Sequence, residues 1–358
     1  MHLNDNRRVL LELIRSGIGR PFVGFPKTVD WDAIQTLSAE QGLSAIVLDG
    51  IEQMPIEMRP PRRVLLQWIG EVMQGESQYD VQLKSAIELA VLFRHHHITT
   101  YVLKGVVISE CYPKPNHRVS SDFDCFLLPE SGGFNAWRLG NDLMRANGVE
   151  VKEHFYKHST FTLPGLLVEN HQFMTAFRCN KRLQKMEKYL QELFIENKDK
   201  RCLFNSDLRR PPVMVSALFI VEHAYTHFLN EGLSWRQVLD WMMFSEKHKS
   251  EIDWNEFGAR IEEFGLSRFY DSYFRLGRYL LGEIEDNELT ERDMLMMGVI
   301  WENYDVVTDD KDFKGKLALV CKLWRARWKY RHFSEISMLH AMWIYAIGYL
   351  FVKNPKLN

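Results

Sequence analysis

The chain has 358 residues, of which 46% are hydrophobic and 13% aromatic, so it is a folded protein of roughly two or three packing units rather than a disordered one. A formal net charge of −2 argues against a generally basic nucleic-acid-binding protein. Five scattered cysteines without a Cys-x-x-Cys pair, and an N-terminus without an apolar signal core, predict a cytoplasmic protein with reduced thiols.

Residues 1–95 are predicted to form an N-terminal helical region. Apolar residues recur at helical spacing over 8–18 and 62–93. Asp30 is placed to cap a further helix over 31–41.

Residues 96–205 have the pattern of a small mixed sheet with helices. β-Branched and aromatic runs predict strands over 98–103, 122–128, 149–156, 159–163 and 166–173. Pro164-Gly165 predicts a tight turn between the last two strands. Short helices are expected over 106–111 and 134–147.

Residues 206–358 are predicted to form a C-terminal helical domain after a linker at 209–212. The clearest helices lie over 213–229, 234–247, 254–264 and 267–281. The predicted fold class is therefore α+β, with the mixed sheet between two helical regions.

Two acids at the start of a predicted strand carry the strongest chemical signal. Asp122 and Asp124 project from the same face, because side chains alternate along a strand. Adjacent carboxylates repel unless a cation lies between them, and Mg²⁺ prefers such oxygen ligands. If the strand that carries Glu169 lies beside them, three carboxylates converge in a set that can hold two metal ions.

Two further elements are suited to phosphate. Lys104-Gly105 stands at a strand-to-helix junction, where glycine lets backbone N–H groups approach an anion. Arg118 has the planar guanidinium that suits a triphosphate, although a surface salt bridge is the simpler interpretation of a lone arginine.

Three motifs occur in order: Val102-Leu103-Lys104-Gly105, Tyr112-Pro113-x-Pro115 and Arg118-x-x-x-Asp122-x-Asp124. They resemble the uncharacterised nucleotidyltransferase family of bacteria, part of the polymerase β-like nucleotidyltransferase superfamily. Flanking segments are also similar: Ala39-x-x-x-Gly42-Leu43, the strand with Glu169 and His171, His223-x-x-x-His227 and Trp235-Arg236-x-x-x-Asp240. One departure from the superfamily is lysine-glycine in place of its usual glycine-serine pair.

The resemblance implies an α+β nucleotidyltransferase core and transfer of NMP from an NTP, with ATP the expected donor, to an acceptor hydroxyl. Asp122, Asp124 and Glu169 would bind Mg²⁺ or Mn²⁺, with Glu169 a ligand or the general base. Lys104, Gly105 and Arg118 would hold phosphate. The acceptor is open between a small molecule, a protein and an RNA end. The alternative function is a catalytically weak nucleotide-binding or regulatory module of the same fold.

Polar pairs on two later helices have two interpretations. His223 and His227, like Arg236 and Asp240, lie at i and i+4 on one helix face. They either fix the helical domain against the sheet or, with His171, line the nucleotide or acceptor pocket. The structural role is favoured. His95-His96-His97, at a helix end, is expected to complement the helix dipole.

The C-terminus raises a further alternative, a membrane-associated interaction protein. A basic, aromatic stretch over 322–331 precedes an apolar run over 336–352, which falls short of the ~20 residues that a membrane span requires. A buried terminal helix is favoured over weak contact with a membrane surface.

Overall fold

The computed structural model describes residues 5–24, 28–132, 135–153, 156–177, 180–196, 201–302 and 324–343. In these residues a five-stranded mixed sheet is preceded and followed in the chain by helices. The predicted α+β fold class is confirmed. The division of the chain at residues 95 and 205 stays a prediction.

Helices form the layer that precedes the sheet. They are α1 (Asp5–Gly17), α2 (Trp31–Glu40), α3 (Ser44–Glu52) and the long α4 (Arg62–His95). Asp30 caps α2 as predicted, because its carboxylate accepts the N–H of Ala33 at 3.1 Å.

Two glycines bring α1 and α3 into backbone contact. A Cβ on Gly17 would lie 1.9 Å from the carbonyl oxygen of Ile46, and one on Gly50 would lie 2.1 Å from that of Leu13. Side chains at these positions would hold the helices apart, so the crossing depends on both glycines.

The sheet has the strand order β3-β4-β2-β1-β5. Its strands are β1 (Ile98–Val102), β2 (Phe123–Pro129), β3 (His158–Leu163), β4 (Leu166–His171) and β5 (Leu208–Arg209). In the part of the chain that the structure describes, the connections contain the helices α5 (Val106–Ser109), α6 (Trp137–Ala146) and α7 (Lys181–Glu196). Gly165, with φ of +68°, forms the predicted turn between β3 and β4.

Strand register determines which polar side chains meet. The parallel pair β2–β4 places Asp124 opposite Glu169, and the antiparallel pair β3–β4 places His158 opposite His171. These four side chains therefore occupy neighbouring positions on three adjacent strands.

One prediction about the sheet is wrong, and one strand was not predicted. The described residues of the predicted strand at 149–156 form a single bridge, Lys152 to Thr160, because Val149 and Val151 pack against the core as irregular chain; 154–155 lie outside the described residues. The strand that was not predicted is β5, which pairs in parallel with β1. The predicted linker shares only Arg209 with this strand, and 210–212 are irregular chain before α8. Two residues are too short for a periodic signal.

The helices after the sheet are α8 (Val213–Asn230), α9 (Trp235–Lys247), α10 (Trp254–Glu263), α11 (Ser267–Leu280), α12 (Glu291–Glu302) and α13 (Arg327–Phe333). Trp235 and Trp241 are fully buried, as expected for core residues. Ser234 and Gln237 form a capping box at the start of α9.

The described part of the C-terminal stretch is only residues 324–343, and 322–323 and 344–352 lie outside it. Tyr330 and Phe333 of α13 are buried, whereas Trp324 and Trp343 are exposed. Of the helices in the described ranges, none has both the length and the apolar character that crossing a membrane requires.

Cys111 and Cys125 carry free thiols, in line with the prediction for these positions. Cys179 and Cys321 lie outside the described residues.

Candidate active site

Three carboxylates converge where the start of β2 lies beside β4. One oxygen from each of Asp122, Asp124 and Glu169 lies within 4.8 Å of the others. Asp124 is fully buried in the sheet, while Asp122 and Glu169 are partly exposed. The convergence expected from the sequence is confirmed, and its cause is the parallel pairing of β2 with β4.

Lys104 lies among these acids. Its Nζ is 3.1 Å from Asp122 Oδ2 and 3.2 Å from Asp124 Oδ2. Burial alone would lower the pKa of Lys104, but Asp124 and Asp122 outweigh it and raise the pKa. The ammonium therefore partly neutralises the acids, and its role toward phosphate stays a prediction.

The acids suit a divalent cation. Asp124 Oδ2 is buried and accepts no hydrogen bond from any described residue, although Lys104 is near. A buried carboxylate oxygen in this state is stabilised by a coordinated cation. The donor set is all oxygen, which fits Mg²⁺ or Mn²⁺.

Asp124 and Glu169 are held ionised, as ligands for a cation must be. Burial would raise the pKa of Asp124, but Lys104 and His171 outweigh it and lower the pKa. Against the same effect of burial, His171 and His158 lower the pKa of Glu169 to about 2. A carboxylate with so low a pKa is a weak proton acceptor.

Gly105 borders the acids on the side of β1. Its φ is +69°, and a Cβ there would lie 2.7 Å from Ser120 Oγ and 3.7 Å from Arg118 Nη1. Only glycine fits this position without displacing Ser120. The guanidinium of Arg118 is thus directed toward the junction that the sequence identified as suited to phosphate.

Arg118 is anchored by Asp240 of α9. Its Nε and Nη2 donate to the two carboxylate oxygens at 3.1 and 2.7 Å, and Tyr112 Oη donates to Oδ1 at 2.8 Å. Arg118 is 6% exposed, so the surface salt bridge considered from the sequence is wrong. The buried pair joins the loop before β2 to the helices after the sheet.

Arg236, on the same helix face as Asp240, lies across Gly42. A Cβ on Gly42 would be 3.1 Å from Arg236 Nε, and Arg236 Nη1 donates to the carbonyl of Val119 at 2.9 Å. Burial and the neighbouring Arg118 lower the pKa of Arg236. The two positively charged guanidinium groups repel each other, and an anion bound between them would stabilise both.

A pocket of about 360 Å³ connects these groups. Among its lining residues are nine predicted site residues: Lys104, Gly105, Arg118, Asp122, Glu169, His223, His227, Arg236 and Asp240. It opens between the sheet and the helices α8, α9 and α11, and its volume is in the range of small-molecule sites.

The three predicted pocket histidines fall into two groups. His171 is fully buried beside the acids, and its Nε2 lies 3.0 Å from Asp124 Oδ1. His223 and His227 line the pocket from α8 with ring centroids 4.4 Å apart. Burial and Lys104 hold the pKa of His223 well below its usual value, so this imidazole is neutral.

Sequence reasoning missed several residues at the site. Lys157 and His158 line the pocket, and Tyr112 anchors Asp240. Tyr112 stands inside a recognised motif, which was the only signal for it. His158 gave none, because its position opposite His171 depends on strand register.

A protein-family match spans every residue of this site. The model of a family described as Uncharacterised nucleotidyltransferase matches residues 27–282. The chain belongs to this family. The match confirms the resemblance seen in the sequence and supports transferase activity with a nucleotide substrate. Comparisons with curated proteins and with solved structures find no match.

Proposed function

We propose that this family member is a metal-dependent nucleotidyltransferase that transfers NMP from an NTP, with ATP the expected donor, to an acceptor hydroxyl. The observation that carries the proposal is the convergence of Asp122, Asp124 and Glu169 beside Gly105. The three acids would hold Mg²⁺ or Mn²⁺.

The reaction forms one bond and breaks one. The acceptor oxygen attacks the α-phosphorus, the bond from that phosphorus to the oxygen bridging to the β-phosphate breaks, and pyrophosphate leaves. The bound metal would neutralise charge on the phosphates and lower the pKa of the attacking hydroxyl. Asp122, Asp124 and Glu169 would hold the metal in place, and a base at the pocket would accept the hydroxyl proton.

Cationic side chains in the same pocket as the acids would bind the phosphates of the nucleotide. Arg118, held rigid by Asp240, and Arg236, held by the Val119 carbonyl, would orient the phosphates without losing much side-chain freedom on binding. Lys104 would turn from Asp122 toward phosphate when a metal neutralises the acids.

The acceptor would enter on the side of β3 and α8, beyond Glu169. Lys157, His158, His223 and His227 line this part of the pocket. These polar side chains suit a hydroxyl compound, and the acceptor classes are a small molecule, a protein hydroxyl and an RNA end.

The test replaces Asp124 by asparagine, which keeps shape and removes charge. Mg²⁺-dependent binding of a non-hydrolysable ATP analogue, measured by calorimetry, should weaken strongly, and pyrophosphate release with a panel of acceptors should fall by ~10²–10³-fold. D142N alters an exposed carboxylate on α6 and should leave both unchanged. Metal-dependent binding that is equal in D124N and wild type would contradict the proposal.

The same measurements separate the alternative, a nucleotide-binding module without efficient catalysis. Binding that depends on Mg²⁺ and on Asp124, without pyrophosphate release for any acceptor, would favour it. The alternative draws on Lys104-Gly105, which lacks the hydroxyl of the superfamily's glycine-serine pair.

A further inference from the structure

A second group of ligand atoms lies beside the three acids. His158, Glu169 and His171 each offer one atom within 4.8 Å of the others. The arrangement is built into the sheet, because His158 is opposite His171 across β3–β4 and Glu169 is two residues before His171 on the same face of β4.

The distances match a small coordination sphere. Glu169 Oε2 is 3.5 Å from His171 Nε2, and Glu169 Oε1 is 3.8 Å from His158 Nε2. Metal–ligand bonds of about 2.1 Å in tetrahedral geometry separate ligand atoms by about 3.4 Å. Small side-chain shifts would therefore bring the three atoms onto one ion.

The orientation of His171 supports the same role. Its Nδ1 lies 3.2 Å from the carbonyl oxygen of Phe173, which can only accept a hydrogen bond, so Nδ1 carries a proton. This contact fixes the ring with Nε2 toward Glu169 and Asp124, and a bound ion would take the place of the proton on Nε2. Metal-binding histidines are commonly oriented by such a hydrogen bond from the other ring nitrogen.

We propose that His158, Glu169 and His171 form a binding site for a divalent transition metal ion such as Mn²⁺ or Zn²⁺. Two imidazoles and one carboxylate favour these ions over Mg²⁺, which prefers oxygen ligands. The site rests on the geometry of β3 and β4 alone. Glu169 also belongs to the group with Asp122 and Asp124. If the proposed function also holds, the two sites form a centre in which two different metal ions share Glu169.

The experiment titrates Co²⁺, a spectroscopic substitute for such ions, into the full chain after removal of any histidine tag. We expect visible d–d absorption with nitrogen ligation, unaffected by excess Mg²⁺. His158→Gln and Glu169→Gln should each weaken Co²⁺ binding by more than about 100-fold, the upper end of the loss when only an outer hydrogen-bond partner is removed.

Two controls address other histidines. The first control is His227→Gln, because His227 lines the same pocket but does not belong to the proposed ligand group. The second replaces the exposed His95, His96 and His97 by alanine, which removes a cluster of surface histidines. Both should leave the spectrum intact. The proposal is overturned if H158Q, shown by thermal unfolding to be folded, binds Co²⁺ like wild type, or if either control removes the signal.

The outcome is independent of the proposed function. Co²⁺ binding that needs His158, in a chain that transfers no nucleotide, would support this metal site and contradict nucleotidyl transfer. Transfer supported by Mg²⁺, in a chain that gives no Co²⁺ spectrum, would overturn only the transition-metal site.

Discussion

Gly105 shows how one residue shapes the site. Its backbone is in the left-handed region, and its missing side chain leaves the space that Ser120 Oγ fills. The Ser120 hydroxyl in turn donates to the carbonyl of Asp122 at 2.9 Å. A side chain at Gly105 would therefore disturb both the surface proposed for phosphate and the start of β2.

We predict that Gly105→Ala weakens binding of the ATP analogue more than tenfold. The left-handed conformation costs ~1–2 kcal/mol for alanine, and the contact with Ser120 adds to it. Gly132→Ala is the matched control, since Gly132 has φ of +82° but a Cβ there would meet nothing within 4 Å. G132A should show only the conformational cost in chemical unfolding and bind the analogue normally. Equal binding by the two variants would show that the space beside Ser120 is unimportant.

At the scale of elements, the crossing of α1 and α3 concentrates stability in a few atoms. Leu10, Leu13 and Ile46 around it are fully buried, and carbonyl oxygens occupy the space where Cβ atoms would lie. Backbone cannot move aside as a side chain can, so this contact is sensitive to added volume.

We predict that Gly50→Ala lowers the free energy of unfolding by about 1–3 kcal/mol, as expected for overpacking. The same change at Gly70, within α4 and with nothing within 4 Å of its Cβ, should raise it by ~0.5–1 kcal/mol through helix propensity. Urea unfolding of both variants measures the difference. A Gly50→Ala variant as stable as Gly70→Ala would mean that α1 and α3 can separate without loss.

The elements predictable from the sequence were those with a local cause. The Asp30 cap and the apolar period of α4 lie within one stretch of chain, and both were predicted nearly to the residue. Contacts between segments that are distant in the chain gave no such local pattern in the sequence. The sequence suggested that Glu169 lies beside Asp124. It did not show that His158 pairs with His171, or that Asp240 binds the guanidinium of Arg118.

At the scale of the whole molecule, His117 links the first helical layer to the site. Its Nδ1 lies 2.6 Å from Asp49 of α3, and its Nε2 lies 2.9 Å from Glu76 of α4. Burial would lower the pKa of His117, but hydrogen bonds to Asp49 and Glu76 outweigh it and raise the pKa. The doubly protonated ring therefore joins two helices next to Arg118.

We predict that this link depends on pH. Because the folded pKa exceeds the usual value of 6.5, its contribution is fully present below that pH and is lost as pH rises through the raised pKa. The difference in unfolding free energy between wild type and His117→Gln should be greatest below pH 6.5. It should shrink as the pH rises through the raised pKa of His117. Glu76→Gln, which removes the negative charge that faces Nε2 of His117, should reduce the pH dependence in the same direction. A difference that is constant with pH would mean that His117 is neutral in the fold.

The buried pair of Arg118 and Asp240 also has an evolutionary consequence. Either residue alone would leave an uncompensated charge in the interior, a state that costs about 3–5 kcal/mol when a buried pair is broken. Viable sequences are therefore expected to keep both residues or to replace both together. Aligned relatives should show covariation between these two distant positions, with Tyr112 changing alongside them because its hydroxyl shares the same carboxylate.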